Sequence, residues 1–85
     1  MSVTVKICGI TSEADAIAAA EAGADAIGLM FYEGSLRHVT LGQAKAISAA
    51  LPPHVMRVGV FVNAGEAFVH QALTECMLNI LQFHG

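Results

Sequence analysis

Val3-Thr4-Val5-Lys6-Ile7-Cys8-Gly9-Ile10-Thr11-Ser12 decides the fold. Val3, Val5 and Ile7 alternate with Thr4, Lys6 and Cys8, the period of two that gives a strand two different faces. Gly9 lets the backbone turn without a Cβ penalty. Ser12, with Asp15 three residues later, has the form of a helix N-cap. The stretch is therefore a strand, a tight turn and a helix start, with Cys8 at the strand's C-terminal end. Parallel β/α folds gather their reactive groups at that end.

The same unit recurs downstream. Glu13 to Ala22 reads as an alanine-rich helix with Ile17 as its one large apolar side chain, stopped by Gly23. Ala26 to Met30 is a second strand, followed by a long connection, Phe31 to Val39, of the kind that often carries function. Thr40 and Gln43 form a capping-box pattern before a second helix, with Ala44, Ile47 and Leu51 at helical spacing and Pro52-Pro53 ending it. Val55 to Val62 is the third and most apolar strand, with Val58, Val60 and Val62 on one face and Arg57, Gly59 and Phe61 on the other. Asn63 is expected to cap a third helix whose apolar stripe is Phe68, Val69, Ala72, Leu73 and Cys76. Ile80 to Phe83 is a fourth strand, ahead of His84-Gly85.

Connections of this length make the strands parallel and the crossovers right-handed. The class is α/β, built of parallel β/α repeats. Lys6, Cys8, Arg57, Gln82 and His84 are expected to look toward one shared axis, with the neighbouring valines and isoleucines under the helices. An open sheet covered by helices on both faces would be apolar throughout. A polar inner face suits half of a closed barrel.

Bulk properties narrow the function. The 85 residues are 55% apolar and 13% charged, against a usual charged share of roughly 25%. A chain this short buries only about 60–65% of its unfolded surface, so some apolar surface is expected to meet more polypeptide. A net charge of −3, with Lys6, Arg37, Lys45 and Arg57 as the fixed cations, argues against nucleic acid as the main partner. No apolar run reaches the ~18 residues that span a membrane, and no signal-peptide core opens the chain. Cys8 and Cys76 have neither CxxC nor metal spacing, which suits free thiols in a reducing cytoplasm. His38, His54 and His70 show no ligand spacing and are expected at the surface.

Five stretches follow one another in order: Lys6-Ile7-Cys8-Gly9-Ile10-Thr11, Gly23-Ala24-Asp25-Ala26-Ile27-Gly28, Ser35-Leu36-Arg37, Val58-Gly59-Val60-Phe61-Val62-Asn63 and Leu81-Gln82-Phe83-His84-Gly85. Together they resemble the N-terminal part of the phosphoribosylanthranilate isomerase family of tryptophan biosynthesis, over essentially the whole chain. The resemblance implies the first four strands of an eight-stranded TIM-type β/α barrel. Residues 1–85 would then be three strand–helix units plus a fourth strand, with the C-terminal half of the barrel outside the chain.

The resemblance further implies an Amadori rearrangement of N-(5-phosphoribosyl)anthranilate. An acid protonates the furanose ring oxygen, the ring opens to an imine, a base removes the C2 proton, and the enolamine becomes a ketone. No nicotinamide, flavin or metal is implied. The family's base falls on Cys8, and the arginine that binds the anthranilate carboxylate falls on Arg37. Lys6, Gln82 and His84 are candidate substrate-facing residues. The acid and the phosphate site belong to the second half of the barrel, so the chain alone is expected to be inactive. Leu36 stands where the family usually has proline, and Phe83 where it usually has leucine.

Physical chemistry fits these roles. Lys6 shares a strand face with Cys8 and a helix N-terminus lies just beyond, an electropositive setting that suits a cysteine acting as a base. A planar guanidinium suits bidentate contact with a carboxylate. Plainer readings stand beside them: Cys8 as a small apolar side chain, Lys6 paired with a carboxylate from elsewhere, Arg37 solvated, Gln82 and His84 holding inward hydrogen bonds. The alternatives in function are a half-barrel module that pairs with a second copy or a complementing chain, and a piece of another phosphosugar barrel such as an epimerase. The Lys6-to-Thr11 motif speaks against the epimerase.

Overall fold

The computed structural model describes residues 4–84; Val3 and Gly85, at the ends of the sequence motifs, lie outside the described residues. Seven elements alternate: β1 (Lys6–Cys8), α1 (Glu13–Glu21), β2 (Ala26–Met30), α2 (Leu41–Ala50), β3 (Met56–Val62), α3 (Glu66–Glu75) and β4 (Ile80–His84). The strands form one parallel sheet in the order β1-β2-β3-β4. Each strand is laid beside its predecessor, as in a winding barrel and unlike a sheet whose strand order reverses at a switch point.

Local chemistry sets most helix ends. Ser12 Oγ accepts the Asp15 N–H at 3.1 Å. The Thr40 hydroxyl accepts the Gln43 N–H while Gln43 Oε1 accepts the Thr40 N–H, a reciprocal capping box at 3.1 and 2.8 Å. At the end of α1, Gly23 is left-handed at φ +99°. Its N–H donates to Ala20 O, and the Ala24 N–H donates to Ala19 O, the paired closure of a Schellman stop. Helix α3 departs from expectation: its N-cap is Gly65, with no side-chain cap, and Asn63 sits two residues earlier at φ +50°. The chain needs a left-handed step to leave β3 before the helix begins, and asparagine tolerates it.

Two apolar layers flank the sheet. Ile27, Leu29 and Phe61 pack outward with Ala16, Ala19, Ala44, Ile47, Ala72 and Cys76 of the helices. Ala26, Val58 and Val60, with Met30 against them, form a separate cluster on the inner face. Helix α1 buries Ala16 and Ala19 and leaves Ile17 exposed.

This layering corrects the expected sidedness of β3. Val58, Val60 and Val62 pair with Ile80, Gln82 and His84 and line the inner face, while Phe61 and its face-mates Arg57 and Gly59 point to the helices. Arg57 is therefore not on the shared axis. Its guanidinium is buried at the C-terminal end of α2. Nε donates to Ser48 Oγ at 2.8 Å, Nη2 to the carbonyls of Ser48 and Leu51, and Nη1 to those of Val55 and Pro52. Helix C-termini leave carbonyls unpaired and carry the negative end of the macrodipole, so a buried cation is tolerated there without a carboxylate. Burial alone pulls the Arg57 pKa below the ordinary arginine value.

Candidate functional site

β1 pairs with β2 as Lys6 with Ala26, Ile7 with Ile27 and Cys8 with Gly28. Ile27 belongs to the outer layer, so Lys6 and Cys8 point to the inner face. Gln82 and His84 share that face through their pairing with Val60 and Val62. Lys6 Nζ donates to Gln82 Oε1. β1 and β4 are opposite edges of the sheet, so this bond requires the sheet to curl about the axis that the polar side chains share. Lys6, Cys8, Gln82 and His84 thus share the inner face, and Lys6 and Gln82 meet across it.

Cys8 is an exposed free thiol. The turn after it is pinned to β2, since the N–H groups of Gly9 and Ile10 both donate to Gly28 O, at 3.0 and 3.4 Å. Gly9 is left-handed at φ +82°. The Arg37 side chain lies directly over it: a Cβ at residue 9 would collide with Arg37 Cδ and fall 3.1 Å from Nη1. Arg37 has therefore reached back from the β2–α2 connection to the turn that carries Cys8.

That connection is held by its own hydrogen bonds. The Ser35 N–H donates to Tyr32 O, the His38 N–H to Ser35 O and the Val39 N–H to Met30 O. Ser35 Oγ accepts the Arg37 N–H at 3.0 Å. Leu36, where the resemblance led one to expect proline, is fully exposed at the tip. The loop keeps a defined path through Ser35 even without that proline.

A second concavity of about 650 Å³ lies between this loop and the start of α3, lined by Phe31, Tyr32, His38, Asn63 and Phe68 among others. His38 is half-buried there, unlike the exposed His54 and His70. Sequence reading did not find this cleft. It has no linear signature: Phe31 and Phe68, which line it, stand 37 positions apart and meet each other and the underlying Phe61 only in the fold, at 5.1 to 6.2 Å between ring centroids. Neither Cys8 nor Arg37 lines it. Cys76, the other thiol, is buried in the outer layer. Burial pushes its pKa up, Glu75 adds to the rise and Lys45 offsets part of it.

Comparison with known proteins agrees with this arrangement. The family model for N-(5'phosphoribosyl)anthranilate (PRA) isomerase matches residues 5–85. An N-(5'-phosphoribosyl)anthranilate isomerase of Azotobacter vinelandii is 62% identical over 84 residues, covering 99% of this chain and 41% of that protein. The isomerase of Geobacter sulfurreducens is 55% identical over 83 residues, covering 98% and 41%. The crystal structure of phosphoribosyl anthranilate isomerase from Thermotoga maritima superposes with a TM-score of 0.94 at 46% identity, covering 99% of this chain and 41% of that one. The chain spans about two fifths of the length of the curated relatives it matches. Its parallel β/α arrangement is that of part of a TIM-type barrel. The chain belongs to the N-(5'-phosphoribosyl)anthranilate isomerase family.

Proposed function

We propose that these residues form the N-terminal half of a barrel enzyme of tryptophan biosynthesis. It converts N-(5-phosphoribosyl)anthranilate to 1-(2-carboxyphenylamino)-1-deoxyribulose 5-phosphate. One observation carries the reading: an exposed thiol at the C-terminal end of β1, on the inner face, with the Arg37 side chain folded onto the next residue.

The chemistry is the rearrangement that the family resemblance implies, with that pair in two of its roles. Protonation of the furanose ring oxygen lets the C1–O bond break while the anilino nitrogen's lone pair forms a C1=N bond. The Cys8 sulfur takes the C2 proton, giving an enolamine. Reprotonation at C1 and loss of the hydroxyl proton give the C2 ketone. Arg37 holds the anthranilate carboxylate through its planar fork. Lys6, Gln82 and His84 line the sugar side of the pocket. The acid and the phosphate cradle come from strands beyond β4, and the 85 residues alone turn nothing over.

The partner of this half is the rest of the barrel. Phe83 is 65% exposed on the outer face and stacks on Phe61 at 5.7 Å, where a further helix would cover it. Pairing with a second copy is the alternative, distinguished by the mass of the chain in solution. Among the described residues no helix is long and apolar enough to cross a membrane. A reducing compartment such as the cytoplasm suits a working thiol. The test is Cys8→Ala in a complete isomerase containing these residues. Turnover is expected to fall by about 10²–10⁴-fold with folding intact, and unaltered kcat would overturn the proposal.

A further inference from the structure

We infer that Gly28 is a positioning residue for the Cys8 sulfur: the absence of a side chain at this point of β2 keeps open the space the thiol occupies. The inference rests on the reading of Cys8 as the base.

Gly28 lies in the middle of β2, between the buried Ile27 and Leu29. Its backbone is ordinary strand, since the left-handed glycines among the described residues are Gly9 and Gly23. The backbone therefore does not call for glycine here, and glycine inside a strand is unfavourable because it adds entropy to the unfolded chain and packs nothing. The pairing runs Cys8, Gly28, Val58, Ile80 across the inner face. In that row only residue 28 has no side chain. A Cβ built there would stand 2.8 Å from Cys8 Sγ, 3.2 Å from its Cα and 3.4 Å from its Cβ. All three of the nearest atoms belong to Cys8, and the sulfur is the nearest of them. Carbon atoms in contact prefer about 3.5–4.0 Å, and sulfur is larger, so an added methyl group would drive the sulfur aside by roughly 1 Å.

Gly28 acts on Cys8 twice. Its carbonyl holds the turn that follows the cysteine, through the N–H groups of Gly9 and Ile10. Its missing side chain clears the direction in which the sulfur points. A general base works within hydrogen-bond reach of its proton, and a misplacement of about 1 Å can cost ~10²-fold in rate.

The test compares Gly28→Ala and Cys8→Ala in a complete isomerase containing these residues. Gly28→Ala is expected to lower kcat by about 10²-fold with KM little changed, a split that general loosening of the fold would not produce. A kcat change of twofold or less in Gly28→Ala, with Cys8→Ala inactive, would overturn this inference and leave the base reading standing. Full kcat in Cys8→Ala would remove the base reading and this inference with it. If Gly28→Ala does not fold, the unfolding free energy of the double variant Cys8→Ala/Gly28→Ala decides, because that variant removes the sulfur and keeps the Cα and Cβ of residue 8: a double variant measurably more stable than Gly28→Ala supports the steric pairing, and one no more stable overturns it.

Discussion

Arg57 Nε donates to the hydroxyl of Ser48 at 2.8 Å, and that hydroxyl donates in turn to the Cys76 carbonyl at 2.6 Å. One side chain of α2 thereby ties β3 to the end of α3. All three groups are buried, and no buried side-chain nitrogen or oxygen among the described residues lacks a partner. Ser48→Ala leaves an N–H and a carbonyl unpaired and should cost about 1–3 kcal/mol. Arg57→Lys keeps the charge but lacks the fork that meets four carbonyls, and should cost more than Ser48→Ala. Chemical denaturation reads both. A lysine variant as stable as the original would show that the guanidinium contacts contribute nothing.

The buried Cys76 thiol gives alkaline pH a defined effect. Its folded pKa is raised above the ordinary 9.0, first by burial and then by Glu75. The unfolded thiol therefore ionises at lower pH than the folded one. The contribution to stability is fully present below about pH 9 and is lost as pH rises through the folded pKa. Unfolding free energies of the original and Cys76→Ala should converge above pH 9, relative to their difference at pH 7. A pH-independent difference would contradict this.

Met77 occupies, after α3, the place that Gly23 occupies after α1. It is left-handed at φ +51°, and the following Leu78 N–H closes onto Leu73 O at 3.1 Å. A side chain in that conformation is strained by about 1–2 kcal/mol, partly offset by the freedom glycine has when unfolded. Met77 is 56% exposed, so little packing is lost by removing it. Met77→Gly should stabilise the protein by about 0.5–1 kcal/mol, raising Tm by roughly 2–8 °C. A lower Tm would refute the assignment of strain.

Gly9 and Arg37 should fail together. Gly9→Ala adds a side chain where φ is +82° and where the arginine stem already lies. In a complete isomerase, Arg37→Met should raise KM by about 10–100-fold, the worth of charge-assisted hydrogen bonds. Gly9→Ala should raise KM in the same direction by displacing the guanidinium. An unchanged KM in Arg37→Met would remove the carboxylate clamp.

What was legible in the chain was local chemistry. Ser12 with Asp15, Thr40 with Gln43, and Gly23 mark helix ends through groups three or four residues apart, and all hold in the structure. The inner placement of Lys6, Cys8, Gln82 and His84 was legible too, because alternation fixes which neighbours share a face. Alternation does not say which face is which. In β3 both sets are apolar apart from Arg57, whose charge pointed to the polar side. Carbonyls at the end of α2 solvate that charge instead, and their approach is set by packing between elements. Likewise the Ser35-Leu36-Arg37 motif named the arginine without revealing that it folds back onto Gly9.

The inner face has one more consequence. The four strands contain no Asp or Glu, while Lys6 looks along the axis and Arg37 stands beside its open end. A molecule with a net charge of −3 thus sets two of its four fixed cations, Lys6 and Arg37, at this face and its open end. A ligand with an acidic group at each end would find its cationic partners there at short range, and its binding would weaken as added salt screens them.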